Sequence, residues 1–200
     1  LLTGEELADR LEREGALPLD EAVSILDQTA AALHATHERG VVHRYLKPQN
    51  IFLVRRDEQD HFVKVLDFGI SKLVDSTSMA TRTGMVFGTL NYMSPEQANG
   101  LVHEIDARTD VFALGAIAYE VLTGQRAFDA ATPAAILNRL CHQEPTPLDD
   151  LRKDAPPDLV AVVHRALAKD RDARFESMAA MREALRAAFG RPERRATARR

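Results

Sequence analysis

The run from Val111 to Leu122 is apolar almost all the way round a helix, with Glu120 its one charged residue. Such a helix persists in water only if neighbours cover nearly every side of it. The chain must therefore build a helical core around residues 111–122. Its 200 residues suffice for one ordinary domain with a sizeable core. Hydrophobic residues make up 45% and charged residues 28%, which excludes a disordered chain.

Other segments supply the surrounding helices. Val23, Leu26, Ala30 and Leu33 recur at helical spacing between Asp20 and Arg39, and Gly40 ends that pattern. Thr132-Pro133 has the form of an N-cap followed by proline at the first helical position, ahead of Ile136, Leu137 and Leu140. Pro156-Pro157-Asp158 opens a further helix with Leu159, Val163 and Leu167, and Met178, Met181 and Leu185 mark the last one. Thr3-Gly4-Glu5-Glu6 reads as a capping box before a short helix carrying Leu7 and Leu11. Helices are expected near 5–14, 21–39, 132–141, 158–168 and 177–188. Two short apolar runs, 51–54 and 62–66, flank a polar turn and predict one small hairpin.

Two loops adjoin that hairpin. One carries Lys47 and Asn50, the other Asp67. A cation, an amide and a carboxylate gathered at a strand edge suit a nucleotide phosphate with its Mg²⁺: the oxygens are hard ligands and the lysine neutralises phosphate charge.

The wording of these loops resembles the protein kinase family. His43-Arg44-Tyr45-Leu46-Lys47-Pro48-Gln49-Asn50 is similar to the catalytic loop H-R-D-L-K-P-x-N, and Asp67-Phe68-Gly69 to the metal-binding D-F-G. The stretch from Gly88 to Gln97 resembles the end of an activation segment, with Ser94-Pro95-Glu96 in place of A-P-E. Three motifs in the right order cover almost the whole chain, and the Ser-Pro-Glu-Gln wording is most similar to bacterial Ser/Thr kinases. The resemblance implies a mainly α fold, the large C-terminal lobe of a kinase with one small hairpin, over residues 1–190. It implies ATP and Mg²⁺ as cofactors, with Lys47, Asn50 and Asp67 on the nucleotide and Asn50 and Asp67 on the metal. Arg44, Lys47 and Thr89 fall at catalytic positions. His43, Gly69, Glu96, Asp110 and Arg174 fall at structural ones. Asp110 would hold the backbone of the catalytic loop, unless it is a plain helix cap. Arg174 would pair with Glu96, unless it is a surface arginine. Residues 70–87 would be the activation loop, with Ser76, Thr77, Ser78, Thr81 and Thr83 as candidate phosphoacceptors.

Two departures qualify the resemblance. Tyr45 stands where the family has its catalytic Asp. A phenol ordinarily ionises only near pH ~10, so it is a poor proton acceptor at neutral pH. Neither a Gly-rich G-x-G-x-x-G nor a Val-Ala-Ile-Lys-like strand occurs, so the nucleotide-covering lobe is expected to be absent, or encoded upstream. Without it, an apolar surface should be partly exposed, with Leu53 and Leu66 as candidates, and the chain alone should not phosphorylate proteins. Three readings stay open: a kinase lobe with impaired transfer, a pseudokinase that binds a protein partner, and a decayed remnant. The survival of Lys47, Asn50, Asp67, Gly69 and Glu96 favours a recent change at Tyr45.

The remaining features set the context. The net charge of −4 argues weakly against nucleic acid as a partner, and the kinase resemblance implies a protein substrate or a regulatory protein partner. Residues 191–200 hold five arginines and one glutamate and read as a basic tail or linker. Cys141, the single cysteine, fits a reducing compartment and a cytoplasmic location. No apolar run approaches the ~20 residues that span a bilayer, and no signal peptide is expected.

Overall fold

The computed structural model describes residues 3–55, 61–68 and 90–190. Its centre is helix α4 (Ala107–Thr123), buried from Thr109 to Tyr119 and again at Val121 and Leu122. The Asp106 side chain caps its first turn by accepting from the Arg108 N–H, and Gly124, at φ 71°, closes its C-terminus. Helices α2 (Leu19–His37), α7 (Pro157–Ala166) and α8 (Met178–Phe189) pack around it. The approach to α7 is close because residue 115 is glycine: a Cβ there would lie 2.7 Å from the Ala166 Cβ.

Short helices complete the lobe: α1 (Leu7–Glu14), α3 (Pro95–Ala98), α5 (Pro133–His142) and α6 (Leu148–Leu151). Helix α5 starts where the sequence predicts, with Thr132 Oγ1 accepting from the Ala135 N–H at 3.2 Å. Helices α3 and α6 have no long apolar period and were not expected as elements.

The expected hairpin is present as β2 (Ile51–Arg55) and β3 (His61–Val65), with Leu53 opposite Val63. A third strand, β1 (Gly4–Glu6), pairs antiparallel with β2, Glu5 lying opposite Leu53. This corrects the capping box read from Thr3 to Glu6. The open edge of β2 offers those backbone groups a ladder, and the helix begins only at Leu7, with no side-chain cap from Glu6. Gly4 fits this pairing because a Cβ would collide with the Leu53 carbonyl oxygen.

Burial in the core corrects the expectation for Leu53, which is 1% exposed. Strand alternation turns Ile51 and Leu53 inward and leaves Phe52 and Val54 half-buried on the other face. Leu66 is half-buried, and the exposed large apolar side chain of the sheet is Phe62, at 39%. Among the described residues, no helix is long and apolar enough to cross a membrane.

Candidate active site

The loop between α2 and β2 is shaped by one buried carboxylate. Asp110, in the first turn of α4 and fully buried, accepts the His43 N–H at Oδ2 and the Arg44 N–H at Oδ1, both at 2.8 Å. Since Asp106 caps the helix, Asp110 is available to face the loop. His37, at the end of α2, donates from Nε2 to the same Oδ2 at 2.7 Å. A buried carboxylate needs such donors, and three N–H groups meet that need.

Arg44 is left-handed, at φ 71°. That conformation costs a non-glycine residue roughly 1–2 kcal/mol, and here hydrogen bonds hold it from both sides. Asp110 takes its N–H, and Gln97 Nε2 donates to its carbonyl at 2.6 Å. His43 is buried, donates from Nε2 to the Leu66 carbonyl at 2.9 Å, and meets the Phe68 ring edge-on at 5.0 Å. Its Nδ1 is thereby left as an acceptor, and the Tyr45 N–H donates to it at 3.3 Å. Tyr45 itself is half-buried, as is Lys47.

Asn50 and Asp67 come together from the two loops. Asn50 Nδ2 donates to Asp67 Oδ2 at 3.3 Å, and the Leu66 N–H donates to the Asn50 carbonyl at 2.8 Å. Asp67 is exposed and left-handed, at φ 59°, a conformation Asp tolerates better than most residues. Asn50 Oδ1 is buried and has no hydrogen-bond partner. An orphaned amide oxygen beside an exposed carboxylate is a donor set suited to a hard divalent cation.

Below the loop, Glu96 and Arg174 form a buried ion pair, and Thr109 Oγ1 donates to Glu96 Oε1 at 2.8 Å. Burial pushes the Glu96 carboxyl up, but the Arg174 guanidinium outweighs it and holds the group below its ordinary value. Gly69, Thr89 and the five candidate phosphoacceptors lie outside the described residues.

The protein kinase domain family matches residues 1–186. The chain belongs to the protein kinase family. Among its relatives, the Ser/Thr-protein kinase Pkn1 of Myxococcus xanthus is 47% identical over 169 residues, covering 84% of this chain and 24% of that protein. PknB of Mycolicibacterium smegmatis is 38% identical over 180 residues, covering 90% of this chain and 28% of that protein. The chain thus spans about a quarter of the length of these curated relatives. A crystal structure of the PknI kinase domain of Mycobacterium tuberculosis, determined on a cysteine-to-alanine mutant, superposes with a TM-score of 0.69 at 27% identity, over 95% of this chain and 64% of that one. The family is therefore the bacterial-type Ser/Thr kinases, and the mainly helical fold with its small sheet is that of kinase domains.

The sequence does not mark His37 as a partner of Asp110, because a histidine on a helix face carries no sign of a carboxylate 73 residues away. Gln97 was visible only as a letter of its motif, and its reach to the Arg44 carbonyl depends on how α3 is seated.

Proposed function

We propose that residues 1–190 form the large lobe of a bacterial Ser/Thr protein kinase, followed by a basic tail or linker over 191–200. Its reaction class is phosphoryl transfer from ATP to a protein hydroxyl, impaired at Tyr45. The observation that carries this reading is the orphaned Asn50 Oδ1 beside Asp67, on a loop that presents a phenol where the family presents a carboxylate. Asn50 and Asp67 would hold Mg²⁺, which when bound neutralises phosphate charge. Lys47 supplies a cation on the same loop for the phosphates. Asp110, His43 and Gln97 fix the backbone that carries residue 45. Tyr45 cannot take the proton of an attacking hydroxyl as a carboxylate does, and that assistance is typically worth ~10² to 10⁴-fold. A reducing cytoplasmic setting agrees with the single cysteine.

The test compares the full product of the gene with its Tyr45→Asp and Asp67→Asn variants. ATP binding, followed calorimetrically with Mg²⁺, should survive Tyr45→Asp and weaken in Asp67→Asn. Single-turnover transfer should rise roughly 10²-fold or more in Tyr45→Asp. Equal transfer rates with and without Tyr45→Asp would remove the impairment.

A second reading, a pseudokinase that docks a protein partner, is favoured by Tyr45 alone. It predicts that nucleotide-independent partner binding persists in Asp67→Asn.

A further inference from the structure

The peptide unit between Arg44 and Tyr45 is held at both of its polar atoms. Its oxygen accepts from Gln97 Nε2 at 2.6 Å, and its N–H donates to His43 Nδ1 at 3.3 Å. That plane sets the direction in which residue 45 leaves the loop. His43 belongs to the loop itself. Gln97 does not: it sits in α3, 53 residues away in sequence.

Gln97 is also firmly mounted. It is 4% exposed, and its Oε1 accepts from the Ser94 N–H at 3.0 Å and from Ser94 Oγ at 3.2 Å. Those two bonds orient the amide so that Nε2 faces the loop. Its neighbour Glu96 is locked by Arg174, so α3 cannot shift without breaking a buried ion pair. The amide therefore acts from a fixed base on a residue whose left-handed backbone needs external support.

The geometry points to Gln97 as a positioning residue for position 45. It ties the end of the activation segment to the peptide that aims the residue at the catalytic position. The role rests on the kinase reading for its meaning, but not for its detection. Helix α3 directly follows residues 67–94, so its seating is transmitted to residue 45 through a single hydrogen bond. The Ser-Pro-Glu-Gln wording thus has a physical content beyond Glu96: the serine caps, the glutamate anchors and the glutamine reaches the loop.

The test measures amide hydrogen exchange by NMR in the 200-residue chain. Gln97→Met keeps the length of the side chain and removes both its donor and the acceptor that Ser94 uses. Ser94→Ala removes one bond of the α3 cap and leaves the donor. In Gln97→Met, protection of the Tyr45 amide should fall about ten-fold or more, with α4 amides unchanged. In Ser94→Ala it should stay within about two-fold of the parent chain. The proposal is overturned if Tyr45 protection survives Gln97→Met, if Ser94→Ala lowers it equally, or if α4 amides fall in step. Should Gln97→Met fail to fold, Gln97→Asn, one methylene shorter, must show the same loss at Tyr45 or the role is withdrawn. None of these readouts uses nucleotide or transfer. Unchanged protection would remove the role of Gln97 and leave the kinase reading to the Tyr45→Asp comparison, and the reverse holds equally.

Discussion

Arg174 and Glu96, 78 residues apart, meet as a buried two-pronged ion pair, with NH1 on Oε1 and NH2 on Oε2, both at 2.9 Å. The arginine does more than neutralise the carboxylate. It also donates to the carbonyls of Ala168, Arg108 and Lys169, joining α3, α4 and the segment after α7. Removing one partner of a buried pair typically costs ~3–5 kcal/mol, because the other is left charged and unpaired. Arg174→Met strands the carboxylate and three carbonyls, whereas Glu96→Gln keeps an acceptor. Both should destabilise the chain, and Arg174→Met should cost more. Urea unfolding with a common m-value checks the order; the reverse order would refute it.

Asp27 links α2 to α8, two of the helices packed around α4. It is a buried residue of α2 that accepts from Arg182 and Arg186 of α8, at 2.6–3.2 Å. Burial raises its carboxyl, and the two guanidinium groups, Arg186 first, outweigh that and hold it below the ordinary range. A carboxyl depressed in the folded state binds fewer protons than in the unfolded chain. Its stabilisation is thus complete above the unfolded value, near ~3.9, and is lost as pH falls through the folded one. Asp27→Asn should lower stability at pH 7 and flatten the acid limb of a stability–pH curve. An unchanged acid limb would show that Asp27 does not carry it.

Lys169 is also depressed in the folded state, but here the depression marks a cost at neutral pH instead of a stabilisation. Its Nζ is buried without a hydrogen-bond partner, 3.7 Å over the Phe128 ring. Burial pushes its pKa down from 10.5 to about 8, against the upward pull of Glu144. The folded state therefore binds this proton less well than the unfolded chain. The cost is fully present below pH 8 and is relieved as pH rises toward the unfolded value. Lys169→Met should be more stable than the parent at pH 7, and the gap should shrink between pH 8 and 10. Thermal melts of the two proteins across that range measure it; a gap independent of pH would exclude Lys169 as its source.

Gly115 lies mid-helix, where alanine would ordinarily gain about 1 kcal/mol in propensity. Packing decides otherwise, since the added Cβ would stand 2.7 Å from the Ala166 Cβ and 3.3 Å from its carbonyl carbon. Overpacking of this kind costs ~1–3 kcal/mol. Gly115→Ala should lower the melting temperature, and Gly115→Ala combined with Ala166→Gly should recover part of the loss. A stabilised single variant would show that α4 and α7 can move apart freely.

What the sequence determined by itself is local in origin. The all-round apolar run gives the buried helix α4, Thr132-Pro133 gives the start of α5, and the loop wording gives the order of Asn50 and Asp67 around a hairpin. Periodicity, capping and motif spacing act within a few residues, so they are legible without coordinates. Tertiary structure decided which partners those residues take. Thr3 to Glu6 carries the letters of a capping box, yet becomes a strand because the edge of β2 lies beside it. Leu53 is covered because strand alternation turns it toward the packed core. His37 reaches Asp110, Gln97 reaches the Arg44 carbonyl, and Asp27 collects two arginines only after α2, α3, α4 and α8 have docked. A side chain's capacity to donate or accept is written in its letter, whereas the partner it satisfies is chosen by burial, which forces each polar group to find whatever the packed helices bring within reach.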